Sequence, residues 1–228
     1  VTLSEGNIES MRSRLKEAIA AGDKAQGVQL AEEALAAQIS PLEFFRTVIE
    51  PVLQEVGDRF ARLEIFLPEL MRAGMVVEAM QKEVLEPAIQ AESSASTIVA
   101  KVVIGTCQGD IHDIGKNMVA LMLQVNGFEV IDLGTNVTPR AFIDSAKAKE
   151  ADIIAMSSLL TTSMPYIRDL VQLLEGFSLR DQFLVVAGGA AVTRDWAESV
   201  GIDGFGEDAV EAVDICRSLI KSRKEQGL

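Results

Sequence analysis

The apolar residues of this chain keep one period up to about residue 90 and a different one from about residue 98. That change constrains the fold more than any other feature. A 3.6-residue period asks for helix, whereas short continuous or alternating apolar runs ask for strand. Residues 1–90 read as helix throughout. Asn7 is placed to cap a first helix carrying Ile8, Met11, Leu15, Ala18 and Ile19, which ends at Gly22-Asp23. A second helix, 24–38, carries Val28, Leu30, Ala31, Ala34 and Leu35. Ser40-Pro41-Leu42-Glu43 combines a capping box with proline at the first helical position. The helix it opens runs to Phe60, and Pro51 is expected to kink or split it. Phe66-Leu67-Pro68 opens a fourth helix, with Leu70, Met71, Met75, Val76, Met80 and Val84 expected inward and a stop near Pro87. Four helices joined by short loops predict a small antiparallel bundle.

Residues 91–97, Ala-Glu-Ser-Ser-Ala-Ser-Thr, are small and polar and read as a linker. Beyond them, β-branched runs at 98–105, 128–133, 152–157, 183–187 and 203–205 alternate with helical segments near 115–126, 139–150, 164–175, 193–200 and 207–223. Such alternation means a parallel sheet with both faces covered. The expected architecture is α + α/β. A four-helix bundle over 1–90 precedes a flavodoxin-like, doubly wound, five-stranded sheet over 98–228. Ligands in such sheets bind outside the carboxyl ends of the strands. The loops to inspect are therefore 106–114, 133–138, 157–164, 187–193 and 205–208.

Charge removes several function classes. There are 21 Lys+Arg against 34 Asp+Glu, a net of −13. A nucleic-acid binder needs clustered cations to displace counterions, and an anionic membrane surface attracts them, so neither partner is expected. No apolar run approaches the roughly 18–20 residues of a membrane span. Val1-Thr2-Leu3-Ser4-Glu5 lacks the features of a secretion signal. Cys107 and Cys216 do not make a disulfide framework. Cys107 reads as a strand-end residue and Cys216 as core. A cytoplasmic location is expected.

The single histidine, His112, falls in the loop after the first strand, between Asp110 and Asp113. A metal-binding imidazole usually gives its other ring N–H to a carboxylate, which fixes the tautomer and raises ligand basicity, and Asp110 is well placed for that. Gly115 is expected to let the chain turn tightly into the next helix. By position alone, a surface histidine near a helix start is an equal reading. One histidine with no Cys-x-x-Cys or His-x-x-His cannot complete a zinc site. A metal bound by His112 must arrive with most of its ligands already supplied, as in a corrin or a haem.

Asp110-Ile111-His112-Asp113-Ile114-Gly115 matches the D-x-H-x-x-G motif of cobalamin-binding domains. Ser157-Ser158-Leu159 matches their S-x-L, and Gly188-Gly189 their paired glycines, each after the expected strand. The first half, including Phe66-Leu67-Pro68-Glu69, resembles the methylcobalamin cap that precedes such domains. Over nearly its whole length the chain resembles corrinoid proteins of anaerobic methyltransferase systems, of the O-demethylase and methylamine types. It is also similar to the cobalamin module of methionine synthase. The resemblance implies cobalamin bound with its benzimidazole displaced and His112 as lower axial ligand to cobalt. It implies a nucleotide slot lined by Ser157, Leu159, Gly188, Gly189, Ala190 and Ala191. Thr161 or Ser163 would face the corrin or hydrogen-bond Asp110. A chain through His112, Asp110 and Ser163 would couple ligation to the state of the metal. An apolar lid drawn from Phe66, Leu70, Met71 and Met75 would cover the upper face. Phe66 is the preferred contact because it precedes its helix, although core filling explains most of the others.

The implied function is a methyl carrier. A substrate-specific methyltransferase would methylate bound cob(I)alamin, and an acceptor methyltransferase would pass the methyl from methylcobalamin to tetrahydrofolate or a thiol. A reductive activator of the corrinoid is a further implied partner. Methyl aryl ether O-demethylation is the favoured donor chemistry, with methylamines, methanol and betaines as alternatives. The sequence has no second catalytic constellation, so turnover would need those partners. A cobalamin-dependent regulator is the competing reading. It would need a basic helix-turn-helix, whereas residues 1–90 hold nine Lys+Arg against fifteen Asp+Glu. Adenosylcobalamin isomerase subunits resemble only the second half. A receiver domain would need an acidic phosphoacceptor after the third strand, where this chain has Ser157.

Overall fold

A computed structural model describes residues 5–92 and 98–225. The chain divides into two compact units, 1–92 and 93–228. Of the 91–97 linker, residues 93–97 lie outside the described residues, while Ala91 and Glu92 close the last helix of the first unit.

The first unit has four helical rods: α1 (Glu5–Ala21), α2 (Lys24–Ala36), α3 (41–61) and α4 (67–92). Helix α1 starts before Asn7, so that residue lies inside it rather than capping it. Asp23 caps α2 by accepting from the Gln26 N–H at 3.0 Å, and Ser40 caps α3 by accepting from the Glu43 N–H at 3.2 Å. Neither proline breaks its rod. A π-turn, Phe45–Ile49 in α3 and Gln81–Leu85 in α4, precedes Pro51 and Pro87 respectively. The Glu50 and Glu86 amides reach back five residues, to the carbonyls of Phe45 and Gln81. This widens the helix where the proline ring would strike the preceding turn. Pro51 also has no N–H for the carbonyl of Thr47, and Arg12 Nε of α1 donates to it instead, at 2.8 Å. Leu15, Leu30, Phe44, Val48, Ile49, Val76, Met80 and Leu85 fill the core.

Met71 and Met75, expected inward, are exposed on α4 together with Leu67, at four-residue spacing. The rod is apolar on two faces, and its sequence period cannot say which face packs.

The second unit is a five-stranded, wholly parallel sheet of β1 (Lys101–Thr106), β2 (Glu129–Asp132), β3 (Ile153–Ser157), β4 (Leu184–Gly188) and β5 (Gly204–Gly206), in the order β2-β1-β3-β4-β5. Residues 98–100, read as part of the first strand, precede it. Between the strands run α5 (Ile114–Val125), α6 (Pro139–Lys149), α7 (Pro165–Gly176) and α8 (Arg194–Ser199), with α9 (Ala209–Glu225) last. Successive residues of β1 face opposite cores. Val102 and Ile104 pack with Leu123 of α5 and Val213, Cys216 and Ile220 of α9. Val103 packs with Phe142 and Ile143 of α6 and Ile167, Leu170 and Val171 of α7. The register aligns Thr106 with Ser157 and Ser157 with Gly188, so three strand ends finish level. The chain reverses its direction of travel at β1, which opens a crevice beside the β1 and β3 carboxyl ends.

Candidate functional site

Six residues with polar or charged side chains are buried among those described, and five of them lie at this crest: Thr106, Asp110, Lys116, Ser158 and Ser163. Burying polar groups costs free energy unless each is bonded, so such a concentration marks a built site. Backbone bonds first tie the loops together. The Cys107 N–H donates to the Ser157 carbonyl at 2.9 Å, and the Ser158 N–H to the Gly188 carbonyl at 3.0 Å.

Asp110 is the hub and is fully buried. Its Oδ1 lies 2.6 Å from His112 Nδ1 and accepts the His112 backbone N–H at 3.1 Å. Its Oδ2 accepts from the N–H groups of Leu159, at 2.8 Å, and Leu160, at 3.2 Å, and from Ser163 Oγ at 3.1 Å. Burial by itself pushes this carboxyl up. The donors from the His112 ring, the His112 amide and the Leu159 amide outweigh burial and hold it below the usual carboxylate range. An ionised Asp110 only accepts, so Nδ1 carries a ring proton, and in the neutral imidazole Nε2 is left with the lone pair. The His112 side chain is 46% exposed while Asp110 is hidden. The site therefore offers one oriented nitrogen donor to solvent.

The loop is pinned from both sides. Thr106 Oγ1 donates to the His112 carbonyl at 2.9 Å. Asn136, in the left-handed region at φ 55°, accepts the Gly109 N–H on Oδ1 at 2.8 Å and donates its own N–H to the Asp110 carbonyl at 2.9 Å. Lys116 Nζ is buried and donates to Asp132 Oδ2 at 2.5 Å and to Asn117 Oδ1 at 2.6 Å, joining α5 to the end of β2. None of Thr106, Asn136, Lys116 or Ser158 was singled out from the sequence. An adjacent serine pair and a polar residue in a strand-end loop were the only signals available. Cys107 is buried, and burial together with the Asp110 charge pushes its thiol up to about 12, which keeps it protonated at neutral pH.

Of the two candidate partners for Asp110, Ser163 makes the bond, whereas Thr161 is exposed and is not among its donors. Ser157 is half-buried at the end of β3, and Leu159 is exposed while its amide holds Asp110. Gly115 does not make a tight turn. It sits inside the first turn of α5, and a Cβ there would meet nothing within 4 Å. The paired glycines are required by the protein itself. A Cβ on Gly188 would lie 2.6 Å from the Gly206 carbonyl oxygen, and one on Gly189, at φ 111°, would lie 2.3 Å from that of Ser158. Ile111, next to His112 in the chain, and Leu159 and Leu160, whose amides bond Asp110, are exposed.

In the other unit, Phe66 caps α4 in extended conformation, is 67% exposed, and borders a groove of about 460 Å³ lined also by Lys16, Val52, Arg59, Ile65 and Arg72. Leu70 is half-buried.

The donor set fits a corrin. Among the described residues no cluster of three or more His, Cys, Asp or Glu could hold a bare ion. A single imidazole beside an open glycine surface suits a metal that brings its own equatorial ligands.

The comparisons agree with this geometry. A B12 binding domain model matches residues 100–214, and a second B12 binding domain model matches residues 11–82. Trimethylamine corrinoid protein 1 of Methanosarcina acetivorans is 39% identical over 93% of this chain and 98% of its own length. Dimethylamine corrinoid protein 3 of Methanosarcina mazei is 43% identical over 74% of this chain and 99% of its own. The structure of the Methanosarcina barkeri monomethylamine corrinoid protein is similar at a TM-score of 0.85, with 33% identity, over 92% of this chain and 99% of that one. With both halves matched and the motif residues gathered at one crest, the chain belongs to the B12-binding family of cobalamin-dependent corrinoid proteins.

Proposed function

We propose that this protein is the methyl carrier of a methylamine methyltransferase system. It takes a methyl group from a methylamine-specific methyltransferase and yields it to an acceptor methyltransferase, with tetrahydrofolate or a thiol as final acceptor. A reductive activator is the third proposed partner. The observation that carries the reading is His112: the chain's only imidazole, half exposed, with Nδ1 held 2.6 Å from a buried carboxylate. Cobalamin, when bound, supplies a cobalt centre that takes up and releases the methyl group. The residues supply the rest. His112 Nε2 would hold the cobalt. Asp110 fixes its tautomer, and Ser163 supports Asp110. Gly115, Ser157, Leu159, Thr161, Gly188 and Gly189 would line the surface that takes the rest of the cofactor. In this reading the helical unit would serve as a cap, with exposed Phe66, Leu67, Met71 and Met75 as the apolar side chains that would keep water and oxidants from bound cobalamin.

The donor proposed here departs from the aryl ethers favoured by the sequence. The relatives reported above carry the names of mono-, di- and trimethylamine proteins, and none supports an ether. No helix among the described residues is long and apolar enough to cross a membrane.

The test is anaerobic purification with cobalamin, followed by methylation assays with mono-, di- and trimethylamine methyltransferases. Bound corrinoid in the visible spectrum and methylation by one of the three enzymes is the expected result. Corrinoid bound but methylated only by an ether or methanol methyltransferase would overturn the donor. For the ligand, the cob(II)alamin form should show nitrogen superhyperfine splitting that changes on isotopic labelling of histidine and vanishes in His112→Ala. A spectrum indifferent to labelling would remove His112 as ligand.

A further inference from the structure

The hydrogen-bonded chain does not stop at Ser163. Ser163 Oγ lies 2.7 Å from Ser158 Oγ, and the two residues are 1% and 0% exposed. Both hydroxyls also reach one carbonyl, that of Leu160: Ser163 Oγ at 2.8 Å and Ser158 Oγ at 3.1 Å. Each hydroxyl has one proton to give. Ser163 therefore has three acceptors for it: charged Asp110 Oδ2 at 3.1 Å, the nearer Leu160 carbonyl, and Ser158 Oγ.

Ser158 decides that choice, because both places for its own proton lead to the same result. If it donates to Ser163 Oγ, it polarises that hydroxyl, and the strengthened donor gains most from the charged acceptor, Asp110. If it donates to the Leu160 carbonyl, which already accepts the Ser163 N–H at 3.1 Å, it takes the second lone pair, and charged Asp110 is then a stronger acceptor for Ser163 than the neutral Ser158 oxygen. Without the Ser158 hydroxyl, a lone pair of the nearer carbonyl is free and competes with Asp110 for the Ser163 proton.

We infer that Ser158 is a positioning residue, the fourth member of the chain Ser158–Ser163–Asp110–His112, and that it holds the Ser163 proton on Asp110. A carboxylate that has lost that donor is a stronger acceptor toward His112 Nδ1–H. The imidazole then becomes a stronger donor at Nε2. Resting on the carrier reading, this means Ser158 tunes the axial ligand without touching it.

The first readout is independent of cobalamin. His112 is the only histidine, so ¹⁵N-histidine labelling of the full-length, cofactor-free chain gives one imidazole. Ser158→Ala is expected to move the Nδ1–H proton resonance downfield, and Ser158→Thr, which keeps a hydroxyl, to restore it toward wild type. The same Ser158→Ala change in a Ser163→Ala background is expected to do nothing further, because the link is already cut. An unmoved resonance in the single variant, or an equal shift in both backgrounds, would overturn the inference and leave Ser158 as packing. The double-variant comparison keeps the test decisive if Ser158→Thr fails to fold. In the loaded protein, Ser158→Ala should shift the cobalt(II)/cobalt(I) potential to more negative values. A full-length wild-type chain that binds no corrinoid would sink the carrier reading, while the resonance would still decide the role of Ser158.

Discussion

At the scale of single residues, Asp110 carries the most chemistry per atom. Five donors converge on its two oxygens, and those of His112 and the Leu159 amide outweigh the cost of burial. Its folded-state pKa lies below its unfolded value, so the ionised form stabilises the fold at pH above the unfolded carboxylate value of about 4. That contribution is lost as pH falls through the lower folded value. Asp110→Asn removes the titration, so its denaturation midpoint should depend less on pH over the acid range than that of wild type. The same variant should make cobalt(II) easier to reduce, because a neutral amide raises imidazole basicity less than a carboxylate does. An unchanged potential would take Asp110 out of the tuning of the metal. The motif residues were legible because D-x-H-x-x-G spells out a ligand and its carboxylate two positions apart. Ser158, Thr106 and Asn136 were not. A hydroxyl or an amide has no signature until tertiary structure supplies its partner, and the partner of Asn136 lies in a loop 27 residues away.

Elements explain what the glycines do, and here the two glycine motifs part company. Gly189 follows β4 at a positive φ with the Ser158 carbonyl where a Cβ would go, whereas the Cβ side of Gly115 is open. Gly189→Ala should therefore cost stability, on the order of 2 kcal/mol or more from backbone strain and collision. It should also disturb Leu159 and Leu160, whose amides hold Asp110. Gly115→Ala should leave stability unchanged or raise it by up to about 1 kcal/mol, as expected for a helical position. If the corrinoid passes close to that surface, the same methyl group should weaken cobalamin binding. Urea denaturation of both apo variants, with cobalamin titration of Gly115→Ala, separates the two roles. Equal stability loss in both would mean that α5 needs its glycine for packing after all. The strand and helix order was legible from period alone, because β1, β3 and β4 are buried on both faces and leave continuous apolar runs. The π-turns before Pro51 and Pro87 were not. Proline says that a helix must yield there, but whether by a break or by one extra residue depends on neighbours such as Arg12.

At the scale of the whole molecule, each unit closes its own core yet leaves apolar side chains uncovered. The first exposes Leu63, Phe66, Leu67, Met71 and Met75, and the second exposes Ile111, Leu159 and Leu160 around an imidazole. Scattered apolar side chains on a surface are ordinary, but a stripe along one helix is a surface built for contact. The carrier reading gives that stripe a use that a single rigid domain could not satisfy. In that reading, bound cobalamin would be shielded between transfers and reached by partner enzymes during them, which asks for a shield separable from the cradle. Two independent cores make that possible, since domains with their own cores move as bodies. The consequence is testable by truncation. Residues 98–228 alone should fold, bind cobalamin and keep histidine coordination, because every bond to Asp110 and His112 described above lies within that unit. The truncated protein should lose a bound methyl group to light faster than the full chain and reoxidise faster from the cobalt(I) state. Photolysis and oxidation rates equal to those of the full chain would show that residues 1–92 shield nothing, and the apolar stripe on α4 would then belong to a partner rather than to the cofactor.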